Sequence, residues 1–144
     1  MIPRITLVLL LSSLAACATG VKKMTDLPTC SSMVECNAHD RQQVQVVATY
    51  QVWDPLPERA RDQPPARQVM LVFASGEEGP FLGAWGREGH QRSLAEISAF
   101  RGKKVRVTGT FLRQMPPHPT DPPEAASLSG PCVHPVEKIE LAPP

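Results

Sequence analysis

The sequence has no excess of charge of either sign. Its 144 residues carry 15 basic and 14 acidic side chains, which nearly cancel at neutral pH. Nucleic-acid binding depends on a basic excess on one face, so this balance gives no support to a nucleic-acid partner. With 42% apolar and 20% charged residues, the composition is that of a folded globular domain and not of a disordered chain.

The motifs of common enzymes are also missing. The chain has no GxSxG turn, no HExxH motif, no P-loop, no Gly-rich dinucleotide turn and no CxxC pair. His90, His118 and His134 lie among Gly and Pro residues, where we expect them to face water. Glu77 and Glu78 fall at a predicted hairpin turn, where we expect a solvated pair. The sequence therefore indicates a protein that is not an enzyme and needs no cofactor.

The beginning of the chain has the organisation of an export signal. Arg4 precedes an apolar run over residues 5–11, and small residues follow as far as Cys17. The run is too short to span a bilayer as a lasting helix. This order of features predicts a secretory signal peptide.

The end of this signal resembles the lipobox of bacterial lipoproteins, through Leu14, Ala15, Ala16 and Cys17. The resemblance implies removal of the preceding peptide and lipidation of Cys17, with the membrane as a partner. Two or more acyl chains hold a protein stably, because each buried methylene contributes about 0.8 kcal/mol. Ala18, in place of aspartate, implies the outer membrane of the cell envelope, facing the periplasm.

The chain thus divides into a signal peptide (1–16), a lipidated tether (17–29) and a single domain (30–144). Within the domain, residues 32–50 resemble residues 93–111. Both copies open on a capping box, Ser-x-x-Glu, in which the serine oxygen accepts the amide three residues on and the glutamate reaches back. Each box predicts a short helix, and Gly102 is placed to end the second one.

Alternating apolar residues after each helix predict half-buried strands. The inward positions are Val44, Val46, Ala48, Tyr50 and Val52 in the first copy, and Val105, Val107, Gly109 and Phe111 in the second. A hairpin is predicted from residues 68–74 and 81–85. In the last strand, "VEKIELA", the positions of Val136, Ile139 and Leu141 indicate a bulge. Prolines concentrate in a first Pro-rich loop (54–67) and a second Pro-rich loop (115–131), which we expect to be connections.

This series of strands resembles the OB-fold, chiefly through "GKKVRVTGTFLR" and "VEKIEL". The resemblance implies a mainly β domain: a five-stranded Greek-key barrel with two short helices, one before strand 1 and one between strands 3 and 4. Together with the lipobox, the chain is similar to small exported OB-like lipoproteins of bacteria. In such a barrel strands 1 and 4 are neighbours, and their equivalent positions account for the resemblance of the two copies. Chance similarity between two helix-to-strand segments is the alternative explanation.

Three cysteines remain in the domain, and export makes a disulfide the default expectation. The favoured pairing joins Cys132 to Cys30 or Cys36, and a local Cys30–Cys36 bond is the alternative. Cys36, His39, Cys132 and His134 would form a metal or enzymatic site only if the fold brought them together. We expect no metal there, because His39 aligns with Phe100, an ordinary packing position.

Binding is the remaining class of function. OB-folds bind ligands on the face of strands 2 and 3, between the loops that follow strands 1 and 4. Trp53 and Trp85 are predicted at the rim of that face, where their rings can stack on a ligand or pack beneath the loops. The sequence therefore predicts a small binding or envelope-associated module. Its partner is an envelope protein, or a carbohydrate or peptide bound by Trp53, Trp85 and the two Pro-rich loops.

Overall fold

The computed structural model describes residues 26–54, 66–85, 87, 89–117, 120, 122 and 130–144. The fold of these residues is mainly β, with two short helices, as the sequence predicts. In chain order the elements are β1 (Thr29–Cys30), α1 (Met33–Asn37), β2 (Gln42–Trp53), β3 (Gln68–Val72), β4 (Glu78–Leu82), α2 (Leu94–Phe100), β5 (Lys104–Leu112) and β6 (Cys132–Leu141).

All the strands of the described residues belong to one sheet, in the order β1-β2-β3-β4-β6-β5. β2 also pairs with β5, so the pairings that lead from β2 through β3, β4, β6 and β5 return to β2. We call this closed series the ring of pairings. The β4–β6 contact is parallel and the other contacts in the ring are antiparallel. β1 lies outside the ring as a parallel addition to β2.

The two similar stretches of sequence become antiparallel neighbours. Val46 of β2 lies opposite Val107 of β5 in a continuous register from Gln42↔Phe111 to Thr49↔Lys104. Most of the predicted inward residues are buried: Val44, Val46, Tyr50, Val105, Val107 and Phe111 are all 0% exposed and Ala48 is 2% exposed. Val52, near the end of β2, is only partly buried and packs against the core. Alternation therefore predicted the inner faces of β2 and β5 correctly, because one face of each strand loses contact with water.

Both helices begin at the predicted serines, but the glutamates bond elsewhere. The amide of Glu35 donates to Ser32 Oγ, and the amide of Glu96 donates to Ser93 Oγ. The Glu35 carboxylate accepts from the Ser31 amide at 2.6 Å instead of from the serine at the cap. This bond, and a second one of 2.9 Å from the Ser31 hydroxyl to the same carboxylate, lower the pKa of Glu35. The serine half of each capping box is confirmed, and the reciprocal half is wrong.

The predicted irregularity in the last strand is present. In the β5–β6 register, Thr108 faces Lys138 while Gly109 faces Val136, so Glu137 is the extra residue. β6 approaches β5 closely here, and a Cβ on Gly109 would lie 2.4 Å from the Pro135 carbonyl oxygen. Only glycine fits this position of β5 without a backbone shift.

The structure differs from the predicted five strands in several places. β1 is an additional strand, too short for a sequence pattern to indicate. The returning strand of the hairpin is Glu78–Leu82, which starts earlier than the predicted residue 81. β6 starts at Cys132 and includes Pro135, which lies at a second register shift, between Gly109 and Phe111. Proline has no N–H to donate to the ladder of hydrogen bonds. It is tolerated at a register shift because the ladder is interrupted there.

Candidate functional site

An apolar patch lies on the outer face of the sheet, where the end of β2 meets β3 and β4. Val69 and Leu71 point into the core, so their neighbours Gln68 and Met70 point outward. Trp53 lies opposite Gln68 in the β2–β3 register, and Phe81 lies opposite Met70 in the β3–β4 register. We call Trp53, Gln68, Met70 and Phe81 the outer patch.

The aromatic rings of the outer patch are in contact. The centroids of Trp53 and Phe81 lie 5.4 Å apart with the rings at 84°, an edge-to-face arrangement. Trp53 is half-buried in this position. Its ring therefore packs within the patch and keeps part of its surface open to a ligand.

Gln68 is the polar member of the outer patch. Although it faces outward, it is only 8% exposed, and among the described residues its Nε2 has no hydrogen-bond partner. A buried amide donor without a partner costs about 1–3 kcal/mol of stability. Because Nε2 is itself covered, an acceptor on a bound molecule reaches it only when neighbouring side chains move.

A second apolar cluster continues the outer patch across β4, β6 and β5. Ala84, Met115 and Cys132 are buried there, with Phe81 and Leu112 packed against them. Burial raises the pKa of the Cys132 thiol to about 12. The thiol is therefore a small apolar group at neutral pH and not a nucleophile.

Trp85 lies at the end of this cluster, beyond β4. Its backbone N–H donates to Met115 Sδ at 3.1 Å, and its ring lies 4.2 Å from the His90 ring. At 42% exposure it is the more accessible of the two tryptophans. Trp53 and Trp85 thus adjoin the same apolar surface, through Phe81 and Met115 respectively.

A cavity of about 270 Å³ lies between the end of β4 and the middle of β6. Its lining residues are Gly83, Gly89, Arg92, His134, Pro135 and Val136. The Arg92 guanidinium donates two bonds of 2.7 Å to Glu96 and one of 2.9 Å to the Gly89 carbonyl. Glu96 also accepts from the Tyr50 hydroxyl at 2.8 Å. With its charge paired, Arg92 ties the α2 region to the core.

The ionisation of these groups follows from burial and pairing. Burial opposes the charge on Arg92, but its contacts with Glu96 outweigh burial and raise the pKa of Arg92. Burial and the bond to Glu96 raise the pKa of Tyr50. Burial lowers the pKa of His90, and burial together with the charge of Arg87 lowers the pKa of His134.

The structure does not bring Cys132 to Cys30 or Cys36, as the favoured pairing required. Cys30 lies opposite Val46, which lies opposite Val107 on β5, whereas Cys132 lies opposite Leu112. The two positions on β5 differ by five residues (112 minus 107), or about 16 Å at 3.3 Å per residue. A disulfide requires Cα atoms within about 7 Å. Cys30 and Cys36 instead contact each other in the main core.

The four residues of the suggested metal site are likewise apart. Cys36 is in the main core, and His39 follows α1, with Nδ1 3.4 Å from Gln42 Oε1. Cys132 belongs to the second cluster, and His134 lines the cavity. In the described part of the chain, no group of three or more His, Cys, Asp or Glu side chains is arranged to hold a metal ion.

Several predicted features lie outside the described residues. These are Cys17 with the rest of the lipobox, His118, and much of both Pro-rich loops. Glu77 is described and is not simply solvated, because its carboxylate accepts the Met33 amide of α1 at 3.2 Å. None of the described residues forms a helix both long and apolar enough to cross a membrane.

Sequence reasoning missed Gln68, Met70 and Phe81 as members of a site. The run "QVMLV" carried a signal, because a strand without alternating polar residues is typically buried on both faces. The missing partner of Gln68 depends on contacts distant in sequence, so no local pattern indicates it.

Comparison with known proteins adds no assignment: no protein-family model, curated protein or solved structure matches this chain.

Proposed function

We propose that the protein is an exported lipoprotein, anchored to the bacterial envelope through Cys17, that binds a saccharide on its outer patch. We also propose that the ring of pairings is an OB-like barrel. The neighbouring positions of β2 and β5 support that fold, as does α2 between β4 and β5. The outer face of β3 and β4 is then the surface on which such folds bind ligands.

The observation that carries the binding proposal is the partly exposed Trp53 ring, which packs edge-to-face on Phe81 with the Gln68 amide opposite it in the register. Sugars present apolar C–H faces that pack on aromatic rings, and hydroxyl oxygens that accept hydrogen bonds. The outer patch supplies both kinds of group. It contains no charged side chain, so its chemistry suits a neutral ligand.

A peptide is the less suitable ligand. Extended peptides commonly bind by adding a strand to a free sheet edge. β3 is paired with β2 on one side and β4 on the other, so its edges are occupied. Side-chain contacts with the outer face remain, and these favour a ring-shaped ligand.

The test is a tryptophan fluorescence titration with peptidoglycan fragments and neutral oligosaccharides. We expect a saccharide to change the emission of the protein, and of a Trp85→Phe variant in which Trp53 remains. A Trp53→Phe variant should lose most of the response. If no saccharide alters the emission of either tryptophan, the binding proposal is wrong.

Gln68→Leu separates binding from folding. Removing a buried amide without a partner should leave the protein as stable or more stable, while losing its hydrogen bond to the ligand. We expect about a tenfold weaker affinity, the equivalent of about 1.4 kcal/mol. Gln42→Leu is the control, because Gln42 is exposed at the other end of β2, away from the outer patch, and should leave binding unchanged. Equal affinities of the two variants would contradict the role of Gln68.

A further inference from the structure

Two of the described cysteines lie together in the main core. Cys30 ends β1, and Cys36 is the buried residue of α1. Both side chains are 0% exposed and belong to the same core cluster, where each thiol shifts the pKa of the other. The pair is thus formed by residues only six positions apart in the sequence.

The backbone holds each cysteine by contacts of its own. β1 is fixed to β2 by the Gln45 amide, which donates to the Pro28 carbonyl at 2.8 Å. α1 is fixed by its serine cap and by the Cys36 amide, which donates to the Ser32 carbonyl at 3.1 Å. Because these bonds do not involve sulfur, they hold the two thiols together before any covalent link forms.

We propose that Cys30 and Cys36 form the disulfide of this protein, made by exchange with the disulfide of an oxidising thiol oxidoreductase. The source of the oxidant rests on the proposed export, since such oxidoreductases act in exported compartments. Cys132 remains a free thiol in the second cluster.

The chemistry requires one thiol to attack and the other to resolve. Both thiols are 0% exposed in the folded domain, so β1, which pairs with β2 alone, must first open locally to admit the donor to the Cys30 thiolate. The thiolate displaces one sulfur of the donor disulfide and forms a mixed disulfide. Cys36 then loses its proton and attacks the Cys30 sulfur. The donor leaves as a dithiol, having received two electrons and two protons.

The bond would secure the point at which the tether enters the domain. β1 has only two residues and pairs with one strand, so few contacts hold it. A Cys30–Cys36 link joins it covalently to α1, whose first free amide is bound by Glu77 of the β3–β4 turn. A force on a lipid attached at Cys17 is then transmitted to α1 through the disulfide, and not only to β2 through the pairing of β1.

Trypsin separates the relevant cysteines cleanly. Cleavage after Lys23 and Arg41 yields a peptide with both Cys30 and Cys36, and cleavage after Arg113 and Lys138 yields one with Cys132. The full chain is incubated in a buffer of reduced and oxidised glutathione, quenched in acid, and alkylated in denaturant with and without prior reduction. We expect peptide 24–41 to be at least about tenfold less alkylated without reduction than with it. Peptide 114–138 should be alkylated equally in both samples.

Variants and a second sample make the result decisive. Cys132→Ala should keep the protected peptide 24–41, whereas Cys30→Ala should leave Cys36 open to alkylation. Full alkylation of peptide 24–41 without reduction, or a covalent link between it and peptide 114–138, would overturn the pairing. The same mapping on protein recovered from acid-quenched cells tests export separately. A bond that forms in glutathione but is missing from cells supports the pairing and contradicts export.

Discussion

At the scale of single residues, buried polar atoms without partners mark where this fold gives up stability. Among the described residues these atoms are Gln68 Nε2, His90 Nδ1 and Arg106 Nε. Such groups cost free energy in the folded state and are retained where another process uses them, or where packing forces them. For Gln68, the position beside Trp53 suggests that ligand binding is the reason the amide is retained. For His90, burial of the ring makes the stability of the fold depend on pH.

We predict that stability falls on acidification through the histidine range. The folded state lowers the pKa of His90 and His134, so below about pH 6.5 the unfolded chain binds protons that the folded chain does not. The free energy of unfolding should therefore decrease between about pH 7.5 and about pH 5.5. Urea unfolding at the two pH values measures the decrease. His90→Phe, which keeps a ring against Trp85, should reduce it; an unchanged decrease would exclude a contribution from His90.

We predict that Cys132 reacts slowly in the folded protein. With its pKa raised to about 12, the thiol forms little thiolate at pH 8, and its burial keeps reagents away. Alkylation of peptide 114–138 should be at least about a hundredfold slower in native protein than in denaturant, where the pKa is about 8.5. Mass spectrometry of timed samples gives both rates. Similar rates would show that the second cluster is open to solvent.

At the scale of elements, short-range sequence patterns predicted the features that depend on residues close in sequence. The two serine caps were predictable because the oxygen that accepts the amide is three residues from it. The alternating valines predicted the inward faces of β2 and β5, whereas their pairing was expected only through the resemblance to the OB-fold. β1 was not, since two residues hold no period. The Cys30–Cys36 contact depends on β1, so the favoured pairing with Cys132 missed it.

The cap of α2 gives a prediction at this scale. Ser93→Ala removes the oxygen that accepts the Glu96 amide, and we expect a loss of about 1 kcal/mol in the free energy of unfolding. Ser98→Ala is the matched control, because Ser98 is exposed within the same helix and alanine favours the helical state. Urea denaturation of both variants measures the difference. A loss in Ser98→Ala as large as in Ser93→Ala would contradict the capping role.

At the scale of the whole molecule, the proposed anchor and the ring of pairings define two separate tasks. The proposed lipobox belongs to the predicted signal at the start of the sequence, and the proposed binding surface belongs to the domain. The lack of periodicity predicted a tether over residues 17–29. Residues 17–25 lie outside the described part of the chain, whereas Leu27 is 7% exposed and Thr29 belongs to β1, so the domain starts before the predicted residue 30. The outer patch was only partly predictable, because it combines residues from β2, β3 and β4 that meet through the register of the sheet.

The anchor gives a prediction that does not depend on the fold. Cys17→Ala should abolish the mass increase of lipidation and move the protein from the membrane fraction, because anchoring needs two or more acyl chains. Intact mass and membrane fractionation of the full chain measure both effects. Cys132→Ala should leave both unchanged. Membrane retention of Cys17→Ala without lipid would contradict anchoring through this residue.

The ring of pairings underlies both the outer patch and the separation of Cys132 from the other two cysteines, and it is tested most directly by nuclear magnetic resonance. Backbone NOEs across β2–β5 and β4–β6 report the two contacts that close the ring. We predict NOEs between Val46 and Val107 and between Leu82 and Val133, in the observed antiparallel and parallel registers. If the β4–β6 NOEs are absent, or if β2 and β5 show a different register, the account of the fold and its sites is contradicted.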